Sequence, residues 1–258
     1  MKSLIRNLYF RQGSIRTIQF GPMRGMTFRV NSVTGLSPWY SGAERPHQRA
    51  FKQIVWPGDV VIDVGANWGL HSLYLSRLVG PQGTVMAVEP FPLALSELKW
   101  HLEVNHCLNV RVISSALSDK EGTSLFVSGA SASTGKLVSV EIEHSPLIEK
   151  ETFSVLTQSL DSLLKELQVN SLKLVKIDVE GAESKVLLGA QETIQRFQPY
   201  FVIDLHNTEQ DLFAAQFFTQ RSYQLKRLQD PPILRVDRGR PHPDGIWGSV
   251  VACPPEKL

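Results

Sequence analysis

Two apolar runs in this chain end in ionisable residues. In residues 172–183, LKLVKIDVEGAE, the alternation of an extended strand places Lys176, Asp178 and Glu180 on one face and Val175, Ile177 and Val179 on the other. Burying three such groups unpaired costs on the order of several kcal/mol. Either Lys176 completes an internal ion-pair network, or Asp178 and Glu180 stand at the carboxyl edge of a sheet beside ligands. Residues 199–206, PYFVIDLH, are a second run, with Asp204 and His206 sharing a face at its end. If the two strands are neighbours, His206 lies near Glu180. A carboxylate or imidazole there can take a proton from a hydroxyl, so Glu180 and His206 are candidate bases and Asp178 a positioning group. As a variant, Asp178, Glu180, Asp204 and His206 offer oxygen and nitrogen ligands to a divalent cation. No metal is assigned from the sequence.

A third stretch, residues 58–69, GDVVIDVGANWG, joins chemistry to backbone. Val60, Val61, Ile62 and Val64 leave no polar outer face, as in a strand covered on both sides of a parallel sheet. Gly65, Asn67 and Gly69, with Ala66 between them, supply a turn that tolerates left-handed angles and lets a ligand approach the main chain. Leu70, Leu73, Tyr74 and Leu78 then follow helical spacing. Dinucleotide sites share this skeleton, but Asp63 at the turn would repel a pyrophosphate and suits a cationic ligand better. Glu89 ends the next apolar run about 20 residues after Gly69, where a carboxylate accepts from both hydroxyls of a ribose. After a third run at 110–113, Ser115 and Ala116 are small enough to admit a flat ring, or simply make a tight corner. A nucleoside with a positive charge is S-adenosylmethionine.

The elements that must position these groups suit one α/β domain with an extension. The chain has 258 residues, 42% hydrophobic and 20% charged, as in a globular protein. A net charge of +2 calls for neither nucleic acid nor an anionic membrane as partner. Cys107 and Cys253 lack metal-ligand spacing, and no signal peptide or spanning helix can be drawn, so a cytoplasmic location is expected. Residues 1–45 read as an N-terminal extension with a hairpin turning at Gly21 and Gly25, and 46–258 as the main domain. Trp39 and Tyr40 either line a substrate site or pack. Helices are expected from Pro46, Pro92, Leu160 and Glu183, the last with Val186, Leu187 and Leu188 inside and closed by Gly189. Between Gly122 and Thr157 short strands and polar loops predict an inserted antiparallel flap, with small hydroxylated residues at 128–135 near its mouth. A helix over Leu212, Phe213 and Phe217 and strands near 223–228 and 247–252 finish the domain. The loop between those strands holds Arg235, Arg238, Arg240 and His242, which can cap an acceptor.

With DVGANWG at 63–69, Glu89 followed by Pro90, and KIDVEGAE at 176–183, the chain resembles the FkbM family of S-adenosylmethionine-dependent methyltransferases from about Gly21 to His206. The resemblance implies a Rossmann-like seven-stranded class I methyltransferase fold, a mostly parallel sheet with a reversed last strand. It implies methylation of a hydroxyl on a natural product or saccharide, with a small-molecule or saccharide acceptor as partner. On that basis Asp63, Gly65, Asn67 and Gly69 embrace the methionine end of the donor, Glu89 the ribose, and Asp178 the amino or sulfonium region. The family often carries a glutamate near the end of the fifth strand, where this chain has Asp204 and His206, so the proton acceptor is left open between Glu180 and His206. Two other classes share features: a nicotinamide-dependent oxidoreductase, although Asn67 stands where a pyrophosphate favours glycine, and a donor-binding module without catalysis.

Overall fold

The computed structural model describes residues 11–30, 44–128, 135–138, 152–229 and 242–255. Its centre is β3 (Val60–Val64), which pairs in parallel with β4 (Thr84–Val88) on one side and β10 (Leu174–Ile177) on the other. β5 (Val110–Ile113) extends the sheet beyond β4, and β11 (Tyr200–Asp204) beyond β10, both in parallel. β13 (Ser249–Cys253) runs antiparallel between β11 and the edge strand β12 (Gln224–Arg227). The order β12-β13-β11-β10-β3-β4-β5 is therefore seven-stranded and mostly parallel, with the last strand reversed.

Successive strand side chains enter opposite cores. Val61, Val85, Leu174 and Val202 pack under α1 (Arg45–Ile54), α2 (Leu70–Val79) and α3 (Pro92–Val104). Ile62, Met86, Val175 and Ile203 face α4 (Leu160–Glu166), α5 (Glu183–Leu188), α6 (Gln191–Phe197) and α7 (Thr208–Thr219). No helix among the described residues is long and apolar enough to cross a membrane. The chain runs outward from β3 through β5 and then returns to the far side of β3 as β10. The chain leaves the carboxyl ends of β3 and β10 toward opposite faces of the sheet, which opens a crevice there.

The N-terminal hairpin pairs β1 (Ile15–Thr17) with β2 (Thr27–Arg29), a shorter first strand than the sequence suggests. The turn opens at Ile18, whose N–H bonds the Met26 carbonyl, so Phe20 lies outside the ladder, 86% exposed. One imidazole ties the hairpin to the domain. Buried His101 Nε2 accepts the Arg29 N–H at 3.1 Å, while Nδ1–H donates to the Trp68 carbonyl at 2.9 Å. Burial lowers its pKa to about 4 against the opposing pull of that carbonyl, so the ring is neutral, as both bonds require.

The flap is a separate four-stranded sheet, ordered β6 (Ala116–Leu117), β9 (Thr152–Gln158), β7 (Gly122–Ser128) and β8 (Gly135–Val138). It is antiparallel except where β6 meets β9. Its Phe126 ring stacks on Phe91 at 5.3 Å, which brings the flap over the crevice. The hydroxylated loop at 129–134, Trp39, Tyr40, Arg235, Arg238 and Arg240 lie outside the described residues.

One expectation about the helix after β10 changes. Leu188 is 46% exposed rather than inside, because a helix as short as α5 buries only Glu183, Val186 and Leu187. Gly189 does close α5, but with φ −82°. Space rather than a left-handed angle demands glycine there, since a Cβ would sit 2.1 Å from the Ser118 carbonyl oxygen.

Candidate active site

At the tip of β3, Gly65 takes φ +76°, and a Cβ on it would lie 1.9 Å from the Asp178 carbonyl oxygen. The two strand tips touch through bare backbone. Asn67 follows at φ +51°, which aims its N–H at Glu89 Oε2, 2.7 Å away. Glu89 Oε1 accepts the Phe91 N–H at 2.8 Å. Only 5% exposed, Glu89 is pushed up by burial to about 7, against the downward pull of those two N–H groups. Ala66 is buried, its N–H on the Val88 carbonyl. Gly69 caps α2 at φ +97°, where a Cβ would meet the Leu98 side chain at 2.6 Å.

β10 ends at Ile177, so Asp178 and Glu180 belong to a turn and not to the strand face that the alternation suggests. The Asp178 N–H still bonds the Val64 carbonyl. The chain then turns away through left-handed angles at Glu180, φ +55°, and Gly181, φ +104°. Lys176 stays in the sheet, level with Asp63 of β3. Its Nζ lies 3.1 Å from Asp63 Oδ1, 3.7 Å from Asp178 Oδ2 and 3.2 Å from the Gly65 carbonyl. Burial alone would lower the ammonium pKa, but Asp63, Asp178 and Asp204 outweigh it and hold Lys176 charged. Asp63 also accepts the Ser72 hydroxyl at 2.6 Å.

His206 lies beyond the end of β11 with both nitrogens engaged. Nδ1 is 2.7 Å from Glu183 Oε1, and Nε2 is 3.2 Å from Asp178 Oδ1 and 3.4 Å from Glu180 Oε2. Burial would lower its pKa, but bonds to Asp178 and Glu183 and their charges outweigh it and raise it to about 10. Lys176 and His206 in turn overcome the burial of Asp178 and hold its carboxyl well below the usual range. Glu183 closes the KIDVEGAE motif, yet its hold on His206 is invisible in the sequence because it depends on how α5 meets the tip of β11.

The crevice holds a pocket of about 680 Å³, solvent at its mouth included. Of the residues proposed from the sequence, Gly65, Asn67, Glu89, Ser115, Ala116, Asp178 and Glu180 line it. Val88, Phe91, Leu117 and Phe126 add apolar walls. Ser115 Oγ accepts the Gln158 amide at 2.7 Å, which leaves its own proton to donate. Asp63, Ala66, Gly69 and His206 support the wall from behind. Asp63 in particular is fully buried against Lys176, so its charge is answered within the protein.

Asp204 does not join His206. Its two oxygens lie 3.0 and 3.1 Å from His47 Nε2 of α1, and Ser249 donates to it as well. The set Asp178, Glu180, Asp204 and His206 is therefore divided: the other three converge, while Asp204 serves His47. Beyond His47 stand Glu44 and His71, a group that the sequence reading passed over.

Residues 63–225 match the family model of the methyltransferase FkbM domain. The chain belongs to the FkbM methyltransferase family. Methyltransferase sdnD of Sordaria araneosa is 32% identical over 158 residues, 51% of this chain and 60% of that protein. The 31-O-demethyl-FK506 methyltransferase FkbM of Streptomyces tacrolimicus is 30% identical over 161 residues, 53% of this chain and 61% of that protein. The chain thus spans about three fifths of the length of these two relatives. The 2-O-methyltransferase NoeI of Sinorhizobium fredii is 25% identical over 180 residues, 66% of this chain and 72% of that protein. A solved candidate rRNA methylase from Clostridium thermocellum superposes with a TM-score of 0.50 at 10% identity, over 81% of this chain and 92% of that one. That likeness shows the fold alone, the Rossmann-like class I methyltransferase architecture, here with an N-terminal extension and an inserted flap.

Proposed function

We propose that this protein is an S-adenosylmethionine-dependent O-methyltransferase acting on a hydroxyl of a small molecule or saccharide. One observation carries the reading: Glu89, Asp178 and Glu180 line the pocket, and among the described residues no Lys, Arg or His does. Such a wall attracts a cationic ligand and repels a pyrophosphate, which counts against a nicotinamide dinucleotide. The residues fit the donor. Glu89 keeps lone pairs for two ribose hydroxyls after taking the Asn67 and Phe91 N–H groups. Phe91, Leu117 and Phe126 suit a flat base, and the bare backbone at Gly65 with Asp178 suits the methionine end.

When bound, S-adenosylmethionine supplies a methyl group already activated on a sulfonium. The protein then has to align the acceptor oxygen and remove its proton. Lys176 and His206 keep Asp178 ionised at the pocket wall. His206, raised to about 10, holds its proton near neutrality and serves to position Asp178. Glu180, whose side chain is 42% exposed and lines the pocket, is the group we assign to receive the hydroxyl proton. The names of two relatives, a 31-O-demethyl-FK506 methyltransferase and a 2-O-methyltransferase, support oxygen as the acceptor atom.

The test is to incubate the protein with methyl-labelled donor and a panel of hydroxylated small molecules and saccharides, alongside calorimetry with S-adenosylhomocysteine. Label should appear on an acceptor oxygen, and Glu180→Gln should lose turnover while still binding S-adenosylhomocysteine. Binding of a reduced nicotinamide in place of S-adenosylhomocysteine would overturn the assignment.

A further inference from the structure

We propose that Glu44, His47 and His71 form a site for one divalent transition-metal ion of the size of Zn²⁺, at the carboxyl edge of the sheet beside the donor pocket. Glu44 Oε2 lies 3.2 Å from His71 Nε2 and 3.6 Å from His47 Nδ1. Two ligands about 2.0–2.1 Å from one ion at a tetrahedral angle stand about 3.4 Å apart, so both spacings are those of atoms sharing a metal. Ligand atoms of all three residues lie within 4.8 Å of one another.

The surroundings are those of a ligand set. His47 is buried, and its Nδ1 has no hydrogen-bond partner although it points at the cluster. Its Nε2–H is fixed by both oxygens of Asp204, which is itself held by Ser249. A carboxylate on the far nitrogen is the usual support behind a metal-bound histidine, and an ion would displace the proton from the near nitrogen. The buried Phe51 ring meets His71 edge-on at 5.5 Å and keeps that side apolar. Glu44, with 28% of its side chain exposed, marks the open side. Three protein ligands leave a fourth position for water or an oxygen of an incoming molecule.

The neighbouring group of Asp178, Glu180 and His206 is a poorer candidate. His206 stands 2.7 Å from Glu183 on one nitrogen and 3.2 Å from Asp178 on the other, whereas His47 Nδ1 stands 3.6 Å from Glu44 and makes no hydrogen bond. His71 lies in the first turn of α2, which the glycine turn opens, and Asp204 ends β11 next to β10, so the site stands at the same edge of the sheet as the pocket. A metal here would polarise an acceptor oxygen. That role rests on the methyl-transfer reading; occupancy of the site does not.

Chelator-treated full-length protein titrated with Co²⁺ alone gives the test, read from the visible absorption of the bound ion and its stoichiometry. The expectation is one ion per chain, at least tenfold weaker binding in Glu44→Gln and His71→Ala, and 10- to 100-fold weaker binding in Asp204→Asn. Glu180→Gln should bind Co²⁺ like the parent. Thermal unfolding of each variant separates lost ligation from lost fold. The proposal is overturned by absence of Co²⁺ binding, by equal binding in folded Glu44→Gln and His71→Ala, or by loss of binding in Glu180→Gln. Co²⁺ binding without S-adenosylhomocysteine binding would sink the methyl-transfer reading and leave the metal site standing.

Discussion

Glu89 and Lys176 are both buried, yet the protein settles their charges differently. Glu89 faces the pocket with two backbone N–H groups as partners, and burial raises its pKa to about 7. Only the ionised form can accept from both ribose hydroxyls while keeping those bonds. Affinity for S-adenosylhomocysteine should therefore fall as pH drops below about 7, approaching tenfold per unit, and level off above it. Calorimetry between pH 5.5 and 8.5 checks this, with Glu89→Gln expected to be weaker and flat across the range. Lys176 instead answers Asp63 across the strand pair. Lys176→Met leaves that carboxylate buried without its partner and should cost about 3–5 kcal/mol, whereas adding Asp63→Asn should recover most of the loss. Urea unfolding of the single and double variants gives the comparison. Asp63 could be recognised in the sequence as a carboxylate at a strand tip, but not as an internal one, because its partner arrives on a strand formed much later in the chain.

At the scale of elements, the five parallel strands were legible because runs such as Val60–Val64 and Thr84–Val88 are apolar on both faces, which suits a sheet covered twice. The exit from β10 was not. A left-handed angle at Glu180 leaves no mark in a residue type that rarely adopts it. The group of Glu44, His47 and His71 was hidden for a similar reason, since it forms only when α1 packs on the start of α2. The contact between strand tips makes its own prediction. Gly65 and Gly80 both take positive φ, +76° and +64°, but a Cβ at Gly65 would strike the Asp178 carbonyl at 1.9 Å, while at Gly80 nothing lies within 4 Å. Gly80→Ala should cost roughly 1–3 kcal/mol from the backbone angles alone, because φ +64° with ψ −175° is a region that essentially only glycine adopts. Gly65→Ala should cost several times that and also weaken S-adenosylhomocysteine binding, because the two tips that form the pocket must separate. Equal losses in thermal unfolding would show that the angle matters and the contact does not.

Across the whole molecule, the crevice depends on pieces distant in sequence: the glycine turn of β3, Glu89 of β4, the Ser115 corner, the flap's Phe126 and the turn after β10. A ligand that touches all of them binds only the folded chain and must stabilise it by mass action. At a free concentration of 100 times its dissociation constant, the gain is about 2.7 kcal/mol. For a chain of this size each kcal/mol moves the midpoint by about 2–4 °C, so S-adenosylhomocysteine should raise it by roughly 5–11 °C. A reduced nicotinamide at the same concentration should leave the midpoint unmoved, because its pyrophosphate would meet the carboxylates of Glu89, Asp178 and Glu180 first, with Lys176 and His206 behind them. Differential scanning calorimetry with each ligand, repeated with Glu89→Gln, separates the possibilities. A shift with S-adenosylhomocysteine that shrinks in Glu89→Gln ties the stabilisation to the ribose contact. An undiminished shift in that variant would mean that the ligand binds elsewhere, and the assignment of this crevice to the donor would fail even if methyl transfer were observed.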